Sequence, residues 1–520
     1  MHGVSNESAL LQRGESSNSA PQACGGETVV EIGMSPRSVL WTFTLINFLL
    51  FFDRGAIAGA LSSIRIDSHL IDNGTPLSDA KSGLLISGFT IGYVFSSPLF
   101  TSRGIVWGSK AIIGLGLAIW CLASVTCAAS LSYASVLICR ILVGVAEAAF
   151  VGFTVTIIDT IAPYGSRASW LGLFFSAIPI GTAAGIGCGG ALSSYSTLWG
   201  LPPWRVVLVV QALAALPVIG LVFYMPNRYH LAPATGSTSH ISFFAATSRV
   251  LCNKNYILLV LGFSVYCFLM GAVSTWGIPL LHEGPLQFSH TAAAVFMGLA
   301  TAFSGAVGSL LGGLFVDRFG GSTGIAGAMH CQRFNILMMC FAIPSGVVAL
   351  YSTHTVVFGI TFLASVLAFF TITAPINACI LTMVPPSLRP YAASYSTFFI
   401  HLLGDFPSPT VTGLLSDFWG RNCRGRSRDA CSAAEPSLQC AWITDVEGGG
   451  RCVCRIQMRN ALLIVFAYTV VALPCWTVVW QRLRREVRAA DVLGEDVVES
   501  TSTVTPNTRT SDHLCLHGEV

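Results

Sequence analysis

The chain has 520 residues, 53% of them apolar and only 10% charged, with a mean hydropathy of +0.68, whereas a soluble globular chain carries roughly 25% charge. That composition excludes an ordinary soluble enzyme. The net charge of +3, from 28 basic and 25 acidic residues, provides no field that would hold nucleic acid. A length sufficient for three or four soluble domains instead accommodates twelve spans of ~20 apolar residues.

Residues 1–36 are rich in Ser, Gly and Glu and lack the apolar run of ~7–15 residues that a cleavable signal sequence needs. They are expected to form a disordered cytoplasmic tail. Apolar stretches follow at 38–61, 82–102, 110–129, 134–161, 168–192 and 205–225, and then at 255–281, 291–316, 325–350, 355–383, 391–418 and 460–480. Each is long enough to cross ~30 Å of hydrocarbon as a helix. The expected fold is therefore all-α integral membrane, with twelve transmembrane helices in two six-helix bundles, 37–225 and 254–481. The polar interval 226–253 is a cytoplasmic linker and 482–520 a cytoplasmic tail.

Lys and Arg set the orientation. With the N-terminus inside, Arg103, Lys110, Arg167, Arg318, Arg333, Arg389 and the Arg482–Arg488 group all fall on the cytoplasmic side, and the short outer loops are nearly free of them. The loop 420–459 departs from this pattern with seven Arg residues. It also holds Cys423, Cys431, Cys440, Cys452 and Cys454, five of the 17 cysteines. Facing an oxidising exterior or lumen, such an insert reads as disulfide-stapled with one thiol left over. Reduced thiols or a zinc cluster in a cytosolic loop are the alternative; no metal or other cofactor is assigned elsewhere.

Segments 158–181 and 380–405 share a plan of apolar helix end, Pro, Arg, small residues and Phe-Phe, so the halves read as parallel repeats. Carriers built this way bind substrate between the halves near the midplane and rock one against the other. The connection GGLFVDRFGG, with Gly313, Asp317, Arg318 and Gly320, resembles the loop signature of the major facilitator superfamily, whose acid and base sit at helix ends and can latch one conformation. The equivalent connection of the first half has Ile105 and Val106 where the Asp-Arg pair is expected and keeps Lys110. Helix 5 carries Gly172, Gly181, Gly185, Gly189 and Gly190 at spacings similar to the superfamily's antiporter signature, although Ile186 stands where that signature has Pro. Tight helix packing explains the same glycines.

An ionised group at the centre of a spanning helix costs ~2.5–3.5 kcal/mol on insertion scales and so needs a partner or a task. Asp53 and Arg54 lie in the middle of helix 1, about 100° apart, and can address different neighbours. The reading is a titratable carboxylate beside an Arg that controls it, or an ion pair that only holds helices together. Arg140 and Glu147 of helix 4 are seven residues apart and share a face, where Arg suits a phosphate head group and Glu exchanges protons. In helix 11, His401 and Asp405 are one turn apart, a pH sensor or proton relay just before Pro407 and Pro409.

Three stretches resemble the spinster family of that superfamily. Asn47, Asp53, Arg54, Ala58 and Gly59 match its first helix. Arg140, Gly144, Glu147, Asp159, Arg167, Pro179 and Gly181 match its fourth and fifth, and His401, Gly404, Asp405, Ser408, Pro409 and Asp417 its eleventh. The resemblance implies a proton-linked lipid transporter for lysophospholipids or sphingosine-type phosphates, in late endosomes and lysosomes or the plasma membrane. It implies that Asp53, Arg54, Arg140 and Glu147 serve substrate and protons, with His401 and Asp405 supporting gating. A monomer is expected, since the fold forms its path within one chain. Two rivals stand beside this reading: a carrier of a small polar solute such as a sugar or organic anion, and a membrane acyltransferase using His401 as base and Asp405 as orienter. An apolar cavity would favour the lipid, and Phe263, Tyr266, Phe268, Trp276 and Phe296 with few amides lean the same way.

Overall fold

A computed structural model describes residues 34–493 apart from 66, 68, 71–78, 193–194, 196, 231–241, 421–439 and 445–449. The first half comprises α1 (Pro36–Gly59), α2 (Leu61–Arg65), α3 (Asp79–Trp107), α4 (Ser109–Ala128), α5 (Tyr133–Ile161), α6 (Arg167–Leu192) and α7 (Pro203–Tyr224). A nine-residue helix, α8 (Phe243–Leu251), lies within the interval between the halves. The second half comprises α9 (Lys254–Glu283), α10 (His290–Phe319), α11 (Gly324–Tyr351), α12 (Thr355–Thr371), α13 (Thr373–Thr382), α14 (Arg389–Ile400), α15 (Ser408–Gly420), α16 (Gln457–Thr469) and α17 (Ala472–Leu493). Hydrocarbon offers no hydrogen bonds, so spanning segments must satisfy their backbone internally, and helices do so.

Eleven helical stretches among the described residues are long and apolar enough to cross a membrane. The eleventh expected span, 391–418, is not among them, because it is broken: α14 passes into a π-helical turn, His401–Asp405, before α15 resumes. The Phe406 N–H donates to His401 O at 3.1 Å, five residues back, and Pro407 and Pro409 offer no N–H with which a regular helix could continue. A second departure from the all-helical expectation lies in the loop 420–459. There β1 (Cys440–Thr444) and β2 (Gly450–Cys454) pair antiparallel, with Cys440 opposite Cys454. Cys440 is disulfide-bonded, whereas Cys423 and Cys431, and the side chains of Cys452 and Cys454, lie outside the described residues.

Within the first half α1 packs along α6 and against α7, while α5 lies between α3 and α4; in the second, α11 and α10 pack on α12, and α9 on α16, α17 and the π turn. The α1–α6 contact is so close because both helices present glycine. A side chain at Gly55 or Gly59 would meet the carbonyls of Thr182 and Ile186, and one at Gly181, Gly185 or Gly189 those of Phe48, Phe52 and Ala56. Gly172 faces Ser309 O of α10, across the halves, while Gly190 has more room. In lipid no hydrophobic force drives helices together, so backbone approach at small residues supplies the packing. The glycines of helix 5 therefore serve helix contact.

One polar tether joins the segment after α2 to the end of α4 and the start of α7. The buried carboxylate of Asp67, after α2, accepts from Trp204 Nε1 at 3.0 Å, Arg205 Nε at 3.1 Å and the His69 N–H at 3.0 Å, while Arg205 Nη1 also donates to Ala128 O at 2.8 Å and Ser130 O at 2.6 Å. Burial pushes the Asp67 carboxyl up, but the His69 N–H and Arg205 hold it below its ordinary value of 3.8. A carboxylate whose folded pKa is depressed stabilises the fold above the unfolded pKa and loses that contribution as pH falls through the folded one. Asp67→Asn should therefore lower the melting temperature of the purified protein at pH 7, and the gap to wild type should persist at pH 5 and close only as pH falls below about 4.

Candidate functional site

The intramembrane charges of α1 and α5 interlock. Arg140 Nη1 donates to Asp53 Oδ2 at 2.8 Å, and Arg54 Nε donates to Glu147 Oε2 at 3.0 Å with a second, shorter contact through Nη2. Because Asp53 and Arg54 are adjacent, they leave α1 in different directions; Arg140 and Glu147, two turns apart on α5, receive one each. Asp53, Arg140 and Glu147 are 0–1% exposed, and only Arg54 retains 15% side-chain exposure. The charges sum to zero within the site. In this conformation Arg140 and Glu147 are both enclosed, and Arg54 is their boundary with open space.

Three neighbours missed by the sequence reading complete the cluster. Gln211 of α7 donates from Nε2 to Asp53 Oδ1, and the Arg54 guanidinium lies over the rings of Phe51 and Phe89, at 4.4 and 4.0 Å, a cation–π arrangement that helps compensate for lost water. Three buried polar atoms remain without a partner: Arg140 Nε, Glu147 Oε1 and Gln211 Oε1. In a water-free setting such atoms mark where a proton, water or ligand group can be accepted. An apolar cavity of about 270 Å³ adjoins the cluster between α1, α6 and α7, lined by Phe48, Phe52, Trp199, Val207 and Val210 among others, with Gln211 as its amide.

His401 Nδ1 and Asp405 Oδ2 lie 3.0 Å apart, so the π turn brings the expected pair together. His401 also meets the ring of Tyr93 edge-on, with centroids 5.1 Å apart. Tyr93 and Phe89 are one turn apart on α3, so this helix touches Arg54 with one ring and His401 with the other. The aromatic residues of α9 behave otherwise. Phe263 stacks on Tyr266, Tyr266 meets Phe369, and Phe268 meets Tyr468; all three are buried in the second-half core and lend the lipid reading no support.

A second polar network joins the halves at the end where α5 leads into α6. The Asp159 carboxylate takes Arg167 on Oδ1 and Arg389 Nη1 on Oδ2, the latter at 3.1 Å. Arg167 continues to Thr382 Oγ1 at 2.9 Å, Ser322 O at 3.1 Å and Ala378 O at 3.2 Å. Asp317 accepts from the backbone N–H of Ala168 at 3.3 Å and of Ser169 at 2.6 Å, and from the Ser169 hydroxyl. A carboxylate thus caps the N-terminus of α6 from the other half, where unsatisfied N–H groups and the helix dipole favour negative charge. Arg318 takes no part: it is exposed and joins none of the described ion pairs, so the expected acid–base latch is an acid latch. Nearer the midplane, Ser394 of α14 meets Thr101 of α3, and Gly305 lies against Pro179.

The sequence matches the Major Facilitator Superfamily over residues 43–409. It is 32% identical over 410 residues to the probable sphingolipid transporter spinster homolog 2 of Arabidopsis thaliana, covering 74% of this chain and 82% of that one. It is 28% identical to the human protein spinster homolog 1 over 80% of each chain. Among solved structures, an inward-facing bacterial homolog of the human lysosomal transporter Spinster superposes with a TM-score of 0.57 at 20% identity, covering 86% of this chain and 98% of that one. The E. coli fucose:proton symporter superposes with 0.63 at 15% identity, covering 86% and 99%. The chain belongs to the spinster-like branch of the major facilitator superfamily. It is an integral, multi-pass membrane protein.

In this spinster-like chain, Asp159 and Arg167 were visible in the sequence as matched positions, and Arg389 only as one of the basic residues that set the orientation. The internal repeat supplied a signal, since it aligns Arg167 with Arg389, and the fold brings both to one carboxylate. Gln211, Phe89 and Tyr93 had no comparable signal.

Two outcomes follow. Removing one partner of a buried ion pair costs ~3–5 kcal/mol, because the other is left uncompensated. Arg140→Met should therefore depress the melting temperature strongly, and adding Asp53→Asn should restore part of the loss in a double-mutant cycle; purely additive losses would contradict a coupled pair. For the inter-half network, a Thr101→Cys/Ser394→Cys protein with a protease site in 231–241 should stay joined after oxidation and cleavage. Asp159→Asn with Asp317→Asn should reduce the joined fraction several-fold, measured on a non-reducing gel.

Proposed function

We propose that the protein is a proton-coupled secondary carrier of a lipid-like substrate of the lysophospholipid or sphingosine-phosphate type, working as a monomer by alternating access. The observation that carries the reading is the buried, charge-neutral quartet Asp53–Arg140 and Arg54–Glu147 beside an apolar cavity. A phosphate group arriving at Arg140 or Arg54 competes with a carboxylate for the same guanidinium, and a planar fork prefers a bidentate oxyanion. The displaced carboxylate, held away from water, takes a proton to stay buried. Anion and proton then bind together at one site, which is the elementary step of coupled transport. Glu147, with an unpartnered Oε1 and its Arg at the boundary of the site, is the acid placed to do this first.

With the N-terminus inside, the network of Asp159, Arg167, Arg389 and Asp317 closes the cytoplasmic side, and the conformation is outward-facing. Breaking it opens the opposite access, while His401 and Asp405, in contact with α3 through Tyr93, report the state of the second half to the first. The names of the relatives, which include sphingolipid transporters, support the lipid class, and spinster-like membership speaks for carriage over acyl transfer. We place the protein in late endosomes, lysosomes or the plasma membrane.

The small-solute alternative keeps some ground, since a fucose:proton symporter shares the fold. Liposomes with purified protein decide between them. A labelled lysophospholipid should move faster with an imposed pH gradient, Glu147→Gln and Asp53→Asn should each abolish the gradient's effect, and Arg140→Ala should abolish flux. Lipid flux absent while a sugar or organic anion is carried would discard the lipid reading.

A further inference from the structure

Outside the transport core, a cavity of about 290 Å³ opens between α11 and α17, lined by Met329, His330, Arg333, Trp480 and Arg484. No acidic side chain lines it, and neither Arg333 nor Arg484 belongs to any ion pair among the described residues. Both guanidinium groups are exposed, so two cations without a carboxylate partner converge on one cavity that an anion can enter from outside. Trp480 forms one wall, and the Arg484 guanidinium lies over its ring at 5.3 Å. A Trp flanked by Arg at the end of an apolar helix is placed at the level of lipid head groups. The helix continues with Arg485 and Arg488, and Arg482 precedes them; four Arg residues just beyond a span attract the anionic leaflet.

We infer that this cavity binds the phosphoryl head group of an anionic membrane lipid from the cytoplasmic leaflet, with Arg333 and Arg484 as the phosphate ligands, His330 as a further donor and Trp480 against the glycerol region. Guanidinium suits the phosphoryl oxyanion because its N–H groups form paired, charge-assisted hydrogen bonds. The site has a route to the closed end of the carrier. The His330 ring packs on Gly320, three residues beyond Asp317, whose carboxylate caps α6. A lipid that holds His330 steadies the turn carrying that cap and favours the closed cytoplasmic side.

The test uses the full chain in neutral detergent, titrated with short-chain phosphatidylinositol bisphosphate, with short-chain phosphatidylcholine and inorganic phosphate as comparison ligands. Binding is read by native mass spectrometry or thermophoresis. The inositol lipid should bind more tightly than either comparison, and Arg333→Gln with Arg484→Gln should weaken it by at least about tenfold while keeping a monodisperse chromatographic profile. Arg485→Gln with Arg488→Gln, outside the cavity, should weaken it far less, which separates a built site from general basicity. The lipid should also raise the cross-linked fraction of the Thr101→Cys/Ser394→Cys protein. Equal binding of inorganic phosphate would overturn the lipid assignment. Undiminished binding by the well-folded Arg333/Arg484 variant would overturn the site itself, and cross-linking indifferent to lipid would overturn its link to the latch.

Discussion

A charge inside hydrocarbon has to be answered by an opposite charge, and the described structure is arranged around that requirement. Asp53 and Arg54 place opposite charges on neighbouring positions of α1, and α5 answers with the reverse set, so the four groups cancel without help from water. Each pair alone would hold α1 to α5. Two pairs of opposite sense do more: a proton or anion that neutralises one member leaves its partner exposed to the full cost of burial, of order several kcal/mol. The site is stable only in matched occupancy states. That is the property a carrier needs to couple two solutes.

The same requirement governs the closed end, with different arithmetic. One buried carboxylate, Asp159, is shared by Arg167 and Arg389, so the pair of guanidinium groups is only half neutralised by side chains. The remaining donors are spread over the Thr382 hydroxyl and the carbonyls of Ser322 and Ala378. Asp317 supplies the complementary case, a carboxylate answered by helix N–H groups. Because Asp159 and Arg167 belong to one half and Arg389, Thr382 and Asp317 to the other, all of these contacts except Asp159–Arg167 can form only when the halves meet. They therefore contribute to one conformation and nothing to its alternate.

How much of this was legible in the chain depended on range. Spans were readable because twenty apolar residues in a row have few other uses, and the six-and-six arrangement followed from the polar interval and the repeat. The break in the eleventh span was foreshadowed by Pro407 and Pro409, yet the π turn was not, since a single extra residue in a helical turn leaves no periodic trace. The four charges of α1 and α5 stood out because ionisable groups are rare in apolar runs, but their pairing is tertiary: nothing local tells Asp53 to choose Arg140. Gln211 was passed over because one amide in a helix is unremarkable until a carboxylate is found beside it. Asp317 and Arg318 looked equivalent as neighbours in sequence; only the position of α6 decides that one caps it and the other faces outward.

The aromatic residues of α3 join these two polar regions. Phe89 lies under the Arg54 guanidinium, and Tyr93, one turn further, meets His401 at the π turn. Neither ring carries a formal charge, so α3 can shift relative to α1 or α14 without stranding an ion. A π turn is a local excess of one residue held by weaker hydrogen-bond geometry than the flanking helix, so it can be redistributed along α14 and α15 with little loss. The His401–Asp405 pair sits on that turn, against the helix that also touches the charged quartet. Any displacement of that turn moves the surface that Tyr93 packs on. The ion pairs thus hold α1 to α5, and the π turn is the part of the second half that meets them through α3.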